Sequence, residues 1–319
     1  MAVTGVNDTK LFSNKQPGGM FAVQDVAECP GKVFYVGSNI TGASDSAGYG
    51  ASPDAPYATI DYGVSACTAS RGDTVFVLPY HTETVATAAA LDFDIAGIKV
   101  IGLGHGDSRP KVQLTAQAST VEFNADDMWI ENIIFEGTFT NGVTAGLDIK
   151  TGCDDLMIKN CVIRATAATK ELLKGVTIEA TNNRITFDGC TFFEFAGGDA
   201  TAAIYTEGAF TNLVIQNCDF RGDWSAAVLD LDAAAVTAEG LTVRDTYCFN
   251  VDASAGLFCT LDNTTVACFK NVHYLGGKAN TPPVPAADDG ASYVSECYGT
   301  ETASTYSVVW PLTATNYGG

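Results

Sequence analysis

Three carboxylates, Glu179, Glu207 and Asp232, recur at intervals of 28 and 25 residues, and their type and spacing could do chemistry. Each follows a short apolar strand by the same step: Val176-Thr-Ile178, Ile204-Tyr-Thr206 and Leu229-Asp-Leu231. If those strands stack in register, the three acids stand on consecutive rungs beside Tyr205. Like charges that close raise at least one pKa, and two carboxylates about 5 Å apart are the working pair of a retaining glycosidase. A bound cation such as Ca²⁺ relieves the same repulsion with oxygen ligands. A very acidic protein also carries solvated acidic faces that do nothing, and the sequence is read that way. It assigns no catalytic residue, and keeps Glu179, Glu207 and Asp232 as the alternative set.

Those acids need elements to position them, and the chain supplies a repeat. Leu156-Met-Ile-Lys-Asn-Cys-Val-Ile163, Ile185-Thr-Phe-Asp-Gly-Cys-Thr-Phe192 and Leu213-Val-Ile-Gln-Asn-Cys-Asp-Phe220 are one phrase repeated, with cysteines 29 and 28 residues apart. Met128 to Phe135 precedes them, Leu241 to Cys248 follows with Thr246 at the cysteine position, and Val266 to Tyr274 is a worn copy around Asn271. A second strand lies between the phrases, from Val121-Glu-Phe123 through Leu147-Asp-Ile149 to Leu257-Phe-Cys259. Short segments rich in β-branched and aromatic residues favour strands over buried helices, and a fixed period in this range marks a solenoid. Alternation places Leu156, Ile158, Cys161 and Ile163 inward, and Glu131, Lys159, Asp188, Gln216 and Arg244 outward with alternating signs. It also places Asp230 and Phe258 together on the outer side. Asn132, Asn160, Gly189 and Asn217 fall where the chain must turn, which glycine and asparagine tolerate best.

At this point the chain resembles the right-handed parallel β-helix superfamily, the pectin-lyase-like group, including its internal asparagine ladder. The resemblance implies an all-β fold: a right-handed parallel β-helix of about seven coils with an N-terminal cap and an irregular C-terminal segment. It implies no single activity, because that fold carries lyases, hydrolases and structural spikes alike. Gly104-His105-Gly106 matches a polygalacturonase triplet, but in that family Asn-Thr-Asp and Asp-Asp elements come before the triplet. Here Asp126-Asp127 and Asp154-Asp155 both follow His105 and the first element is missing, so a glycine-rich turn is expected.

Four segments are expected: an N-terminal arm, 1–32; an opening strand, loop and cap, 33–72, with a short amphipathic helix near Thr59 to Ser70; the β-helix, 73–277; and 278–319, a C-terminal cap or interaction segment. After Gly277 the repeat is expected to stop, at Thr281-Pro-Pro-Val-Pro285. A net charge of −20 with 17 Lys+Arg argues against nucleic-acid and anionic-membrane partners. There is no charged-then-apolar leader at Met1 and no apolar run of about 18 residues, so synthesis in a host cytoplasm without a signal peptide is expected. Ten cysteines without a Cys-x-x-Cys pair, mostly at inward positions, read as reduced packing residues rather than metal ligands. No cofactor and no metal are expected.

Taken together, the leaderless start, reduced cysteines, acidic surface and aromatic-rich ends suit a non-enzymatic bacteriophage virion protein, a capsid decoration (cement) protein or spike anchored through its termini. Its partners would be itself, as a homotrimer, and other virion proteins such as capsid. The alternatives are a tailspike-type hydrolase or lyase that cleaves polysaccharide, and a glycan-binding module using Trp129 and Tyr205 on a surface glycan.

Overall fold

The computed structural model describes residues 31–231, 239–252, 257–261, 266–276, 293–300 and 308–309. Nineteen strands bond as one sheet, and seven more form a second sheet with the coils in sequence order. The larger sheet bends once per coil, so the solenoid has three faces. On the first face Val75, Val100, Ile130, Ile158, Phe187, Ile215, Val243 and Phe269 stack rung on rung in parallel register. On the second, Phe135, Ile163, Phe192, Phe220, Cys248 and Tyr274 do the same. The third runs Leu91, Val121, Leu147, Val176, Ile204 and Leu229. Every one of these side chains is buried. This is the expected parallel β-helix, and right-handed is the hand that parallel strand connections adopt.

The bend between the first two faces is a single left-handed residue, occupied in order by Asn132, Asn160, Gly189, Asn217, Asp245, Asn271 and Glu296, all at φ from 51 to 67. That conformation explains why the repeated phrase carries Asn or Gly there. The next residue turns inward, giving a buried column of Ile133, Cys161, Cys190, Cys218, Thr246, Val272 and Cys297. Cys161, Cys190 and Cys218 each donate to the carbonyl two residues earlier, and Thr246 Oγ1 does so at 2.9 Å. The thiol thus fills the core and adds a second donor to a carbonyl that already accepts a backbone N–H from the neighbouring coil. Burial pushes the pKa of Cys161 and Cys190 well above that of a free thiol, which keeps them inert.

Asn160 and Asn217 are exposed and reach back to carboxylates of the preceding coil, Glu131 at 3.3 Å and Asp188 at 2.7 Å. The expected internal asparagine ladder is therefore a surface one, because the left-handed turn points these side chains outward. The buried asparagines are others: Asn182, bonded to Cys153 N and Glu179 O, and Asn250, bonded to Trp224 N and O.

Three further details differ from expectation. The capping helix is only Ile60–Ser65, begun by Thr59, whose hydroxyl accepts from Tyr62 N. It stops before Ser70 because Thr68 N is held by the buried Asp73 carboxylate instead. Phe258 is buried against Phe269 and Tyr274, and Thr260, two residues on from the expected partner, takes the place beside Asp230. The solenoid pattern also reappears beyond Gly277: Tyr293–Ser295 and Tyr298–Thr300 add parallel rungs on Cys268–Lys270 and His273–Leu275. At the N-terminal end Val33–Val36 pairs in parallel with Thr74–Val77, covering the first coil beside the helix.

Candidate functional site

The third face is where the alternative catalytic acids were expected. Thr177 pairs with Tyr205, and Glu179 and Glu207 follow on adjacent rungs, as the spacing required. Asp232 lies outside the described residues. Glu179 makes an ion pair with Lys150 and accepts from Thr151 N at 3.0 Å and Thr151 Oγ1 at 2.9 Å. Burial acts to raise its pKa, but Lys150 and Thr151 outweigh that and hold the carboxyl below its ordinary value. Glu207 is half exposed and 3.5 Å from Lys174. Each acid has a lysine of its own, so neither presses on the other in the way an acid–base pair must.

A denser set of acids lies lower on the same face. Asp92, Glu122 and Asp148 occupy three consecutive rungs, with Asp61 of the helix against Asp92. Burial, with neighbouring carboxylates adding, raises the pKa of Asp61, Asp92 and Asp148. Donors partly offset this: Asn124 to Asp92 at 2.7 Å and Lys150 to Asp148 at 3.1 Å. Asp148 and Thr177, adjacent in register, each keep one buried oxygen without a hydrogen bond. Among the described residues no group of three or more His, Cys, Asp or Glu is arranged to hold a metal ion. Strand alternation by itself turns Glu122 and Asp148 outward, but nothing in the sequence joins them to Asp92. The short Leu91–Phe93 strand lies outside the repeated phrase, and only the structure sets it in register.

The rings proposed for glycan contact are already occupied. Lys174 Nζ sits 3.4 Å from the Tyr205 ring centre. Trp129 has Lys99 and Lys159 at 5.6 and 5.2 Å, and its Nε1 donates to Glu131 at 3.0 Å. A depression of about 200 Å³ beside it is lined by Lys99, Asp127, Trp129, Asp155 and Met157.

Two clusters were not singled out from the sequence. Ser38, His81 and Glu83 hold the residue types of a charge relay near the N-terminal end. His81 Nδ1 accepts from the Ser38 backbone N–H at 3.0 Å, which leaves Nε2–H to donate to Glu83 at 3.2 Å. Ser38 Oγ instead donates to Thr82 O, and Glu83 accepts from Ile60 N, so the cluster ties loop to helix and activates no nucleophile. Glu194 is the second. It points inward one residue past the Phe193–Arg221 pair, where neighbouring coils have Ala165, Gly222 and Asn250. Its Oε1 accepts from Leu172 N while Oε2 is buried without a partner. Burial, with the charge of Glu171 adding, pushes its pKa up to about 8 against that one hydrogen bond. His105 lies exposed in a glycine-rich turn, as expected, bonded locally to Ser108.

No protein-family model and no curated protein matches the chain. Among solved structures it is similar to a rhamnogalacturonan lyase at 15% identity, covering 78% of this chain and 75% of that one, with a TM-score of 0.48. It is similar to the pectin methylesterase from Aspergillus niger at 14% identity, covering 90% and 95%, with a TM-score of 0.45. It is also similar to a lacto-N-biosidase from Eubacterium ramulus at 10% identity, covering 83% and 68%, with a TM-score of 0.35. Those activities belong to those proteins. The fold assignment for this chain rests on its own strand register.

Proposed function

We propose that the chain is a non-enzymatic structural protein of the bacteriophage virion type, a stiff acidic rod of the capsid decoration or spike kind. One observation carries this reading: apart from the Asp61, Asp92, Glu122 and Asp148 set, outer carboxylates along the rod are bonded from coil to coil. Glu136 binds Arg164, Glu179 binds Lys150 and Thr151, and Asp155 binds Arg184. Asp154 accepts from Asn183, Asp188 from Asn217, Asp230 from Thr260 and Asp245 from Asn271. Each tie spans one coil. Singly such surface pairs contribute at most about 1 kcal/mol, but stacked in series they stiffen a rod along its length. The nine described cysteines are all free and eight are buried, which suits assembly in a reducing host cytoplasm.

The direct test is a broad panel of bacterial surface polysaccharides. No release of reducing ends or of unsaturated products is expected from the parent protein. Reproducible release, lost in Glu207→Gln with the fold intact by circular dichroism, would establish the tailspike-type alternative instead.

A further inference from the structure

The outer side of the second face changes character along the rod. In its lower coils it is polar: Gln113 donates to Glu136 at 2.8 Å, and Arg164 to the same carboxylate at 2.7 Å. From the fifth coil it becomes aromatic. Phe193, Arg221, Phe249 and Leu275 form one column, and Asp219, Tyr247, His273 and Tyr298 the other, all in parallel register. Of the eight large exposed hydrophobic side chains described, five are here: Phe193, Phe195, Tyr247, Phe249 and Tyr298, from 36% to 43% exposed. Phe193 and Phe195 meet edge to face at 5.0 Å, and the Arg221 guanidinium lies 5.6 Å from the Tyr247 ring centre. Rungs about 4.8 Å apart make this one continuous patch on the order of 15–20 Å tall. Scattered single aromatics need no explanation, whereas a contiguous set with an arginine has the composition of an interface core.

We propose that this patch binds a second copy of the same chain. Charge selects the occupant. The chain carries −20, and copies meeting along the third face would set Asp92, Glu122, Asp148 and Glu207 against like charge. In the aromatic patch the described acid, Asp219, is closed on Arg221 at 2.8 Å, so two copies meet there without added repulsion. That same closed pair leaves few free polar groups to orient a sugar. The contact is lateral, and a lateral patch on a rod closes as a pair or a small ring, the homotrimer being the expected case. This inference deepens the structural reading and rests on it.

The test is sedimentation of the purified full-length chain between 1 and 50 µM. The parent is expected to associate, and Phe193→Glu or Phe249→Glu to weaken association at least tenfold. Tyr80→Glu, at a residue 66% exposed and outside the patch, is expected to change nothing. Far-UV circular dichroism checks that the variants fold. Phe249→Ser, and hydrogen exchange slowed by concentration at residues 191–195 and 247–249, give an independent reading if a charged variant does not fold. A parent that stays monomeric at 50 µM overturns the proposal, as do folded variants that associate like the parent. Loss of binding to an oligosaccharide array in the same variants of a monomeric parent would make the patch a glycan platform. Association through the patch in a chain that also cleaves polysaccharide would uphold the interface and overturn the structural reading.

Discussion

Raising the pH from about 6 to 9 is expected to destabilise the protein, and Glu194→Gln is expected to remove most of that loss. Burial raises the Glu194 pKa to about 8 in the folded chain, above its unfolded value of 4.5. The folded state therefore holds its proton more tightly than the unfolded one. Its contribution is fully present below the unfolded pKa, falls as pH rises between the two values, and is gone above the folded one. At about 1.4 kcal/mol per pKa unit, the two units between pH 6 and the folded value set a ceiling of about 3 kcal/mol, and relaxation around the ionised acid brings the effect to about 2 kcal/mol. Glu171, Asp199 and Asp223 border the same corner, and Glu171 is itself raised by burial. The difference between parent and Glu194→Gln isolates Glu194 from them. An amide is well suited here, because Asn250 two coils on accepts from Trp224 N and donates to Trp224 O through its own amide. Urea unfolding at several pH values reads the effect. Parallel curves for parent and variant would contradict it.

Phe220→Ala is expected to cost about 3–5 kcal/mol, the range for emptying a buried aromatic site. Phe220 is fully buried, stacks on Phe192 at 4.6 Å and meets the edge of Trp224 at 6.5 Å. In a solenoid each coil touches only its neighbours, so the damage is local. Hydrogen exchange should quicken first in the coils from Phe210 onward while the strands from Val75 to Ile130 keep their protection. Uniform loss of protection along the rod, or a cost below about 1 kcal/mol, would show that this stack does not hold the coils together.

Much of the fold was legible in the sequence because its causes are local and repeat. The left-handed bend favours Asn or Gly, the next residue turns inward into the core, and strand parity fixes the rest of the coil. Glu179 and Glu207 took their expected rungs for the same reason. Where the repeat wears out, less was legible: Leu257–Leu261 alternates equally well two residues out of register, and the packing of Phe258 on Phe269 and Tyr274 belongs to the stacked coils and not to the strand's own pattern. Tyr293-Val-Ser-Glu-Cys297 keeps the inward cysteine of the phrase, but Glu296 at the left-handed position hid it. Site chemistry was less legible still. Parity does turn Glu194 inward after Phe192, yet only the fold shows that one of its oxygens has no partner. The lysines that occupy Tyr205 and Glu179 come from neighbouring coils, and those contacts exist only after stacking.

The central claim is that this rod is a component of an assembled particle and not a free enzyme. The most direct measurement is to purify particles from the culture that produces the chain, through a density gradient, and quantify it by mass spectrometry. The account predicts that it bands with the particles at a fixed ratio to the major shell protein. Complete particles that lack the chain, with all of it left in the soluble fraction, would contradict the account.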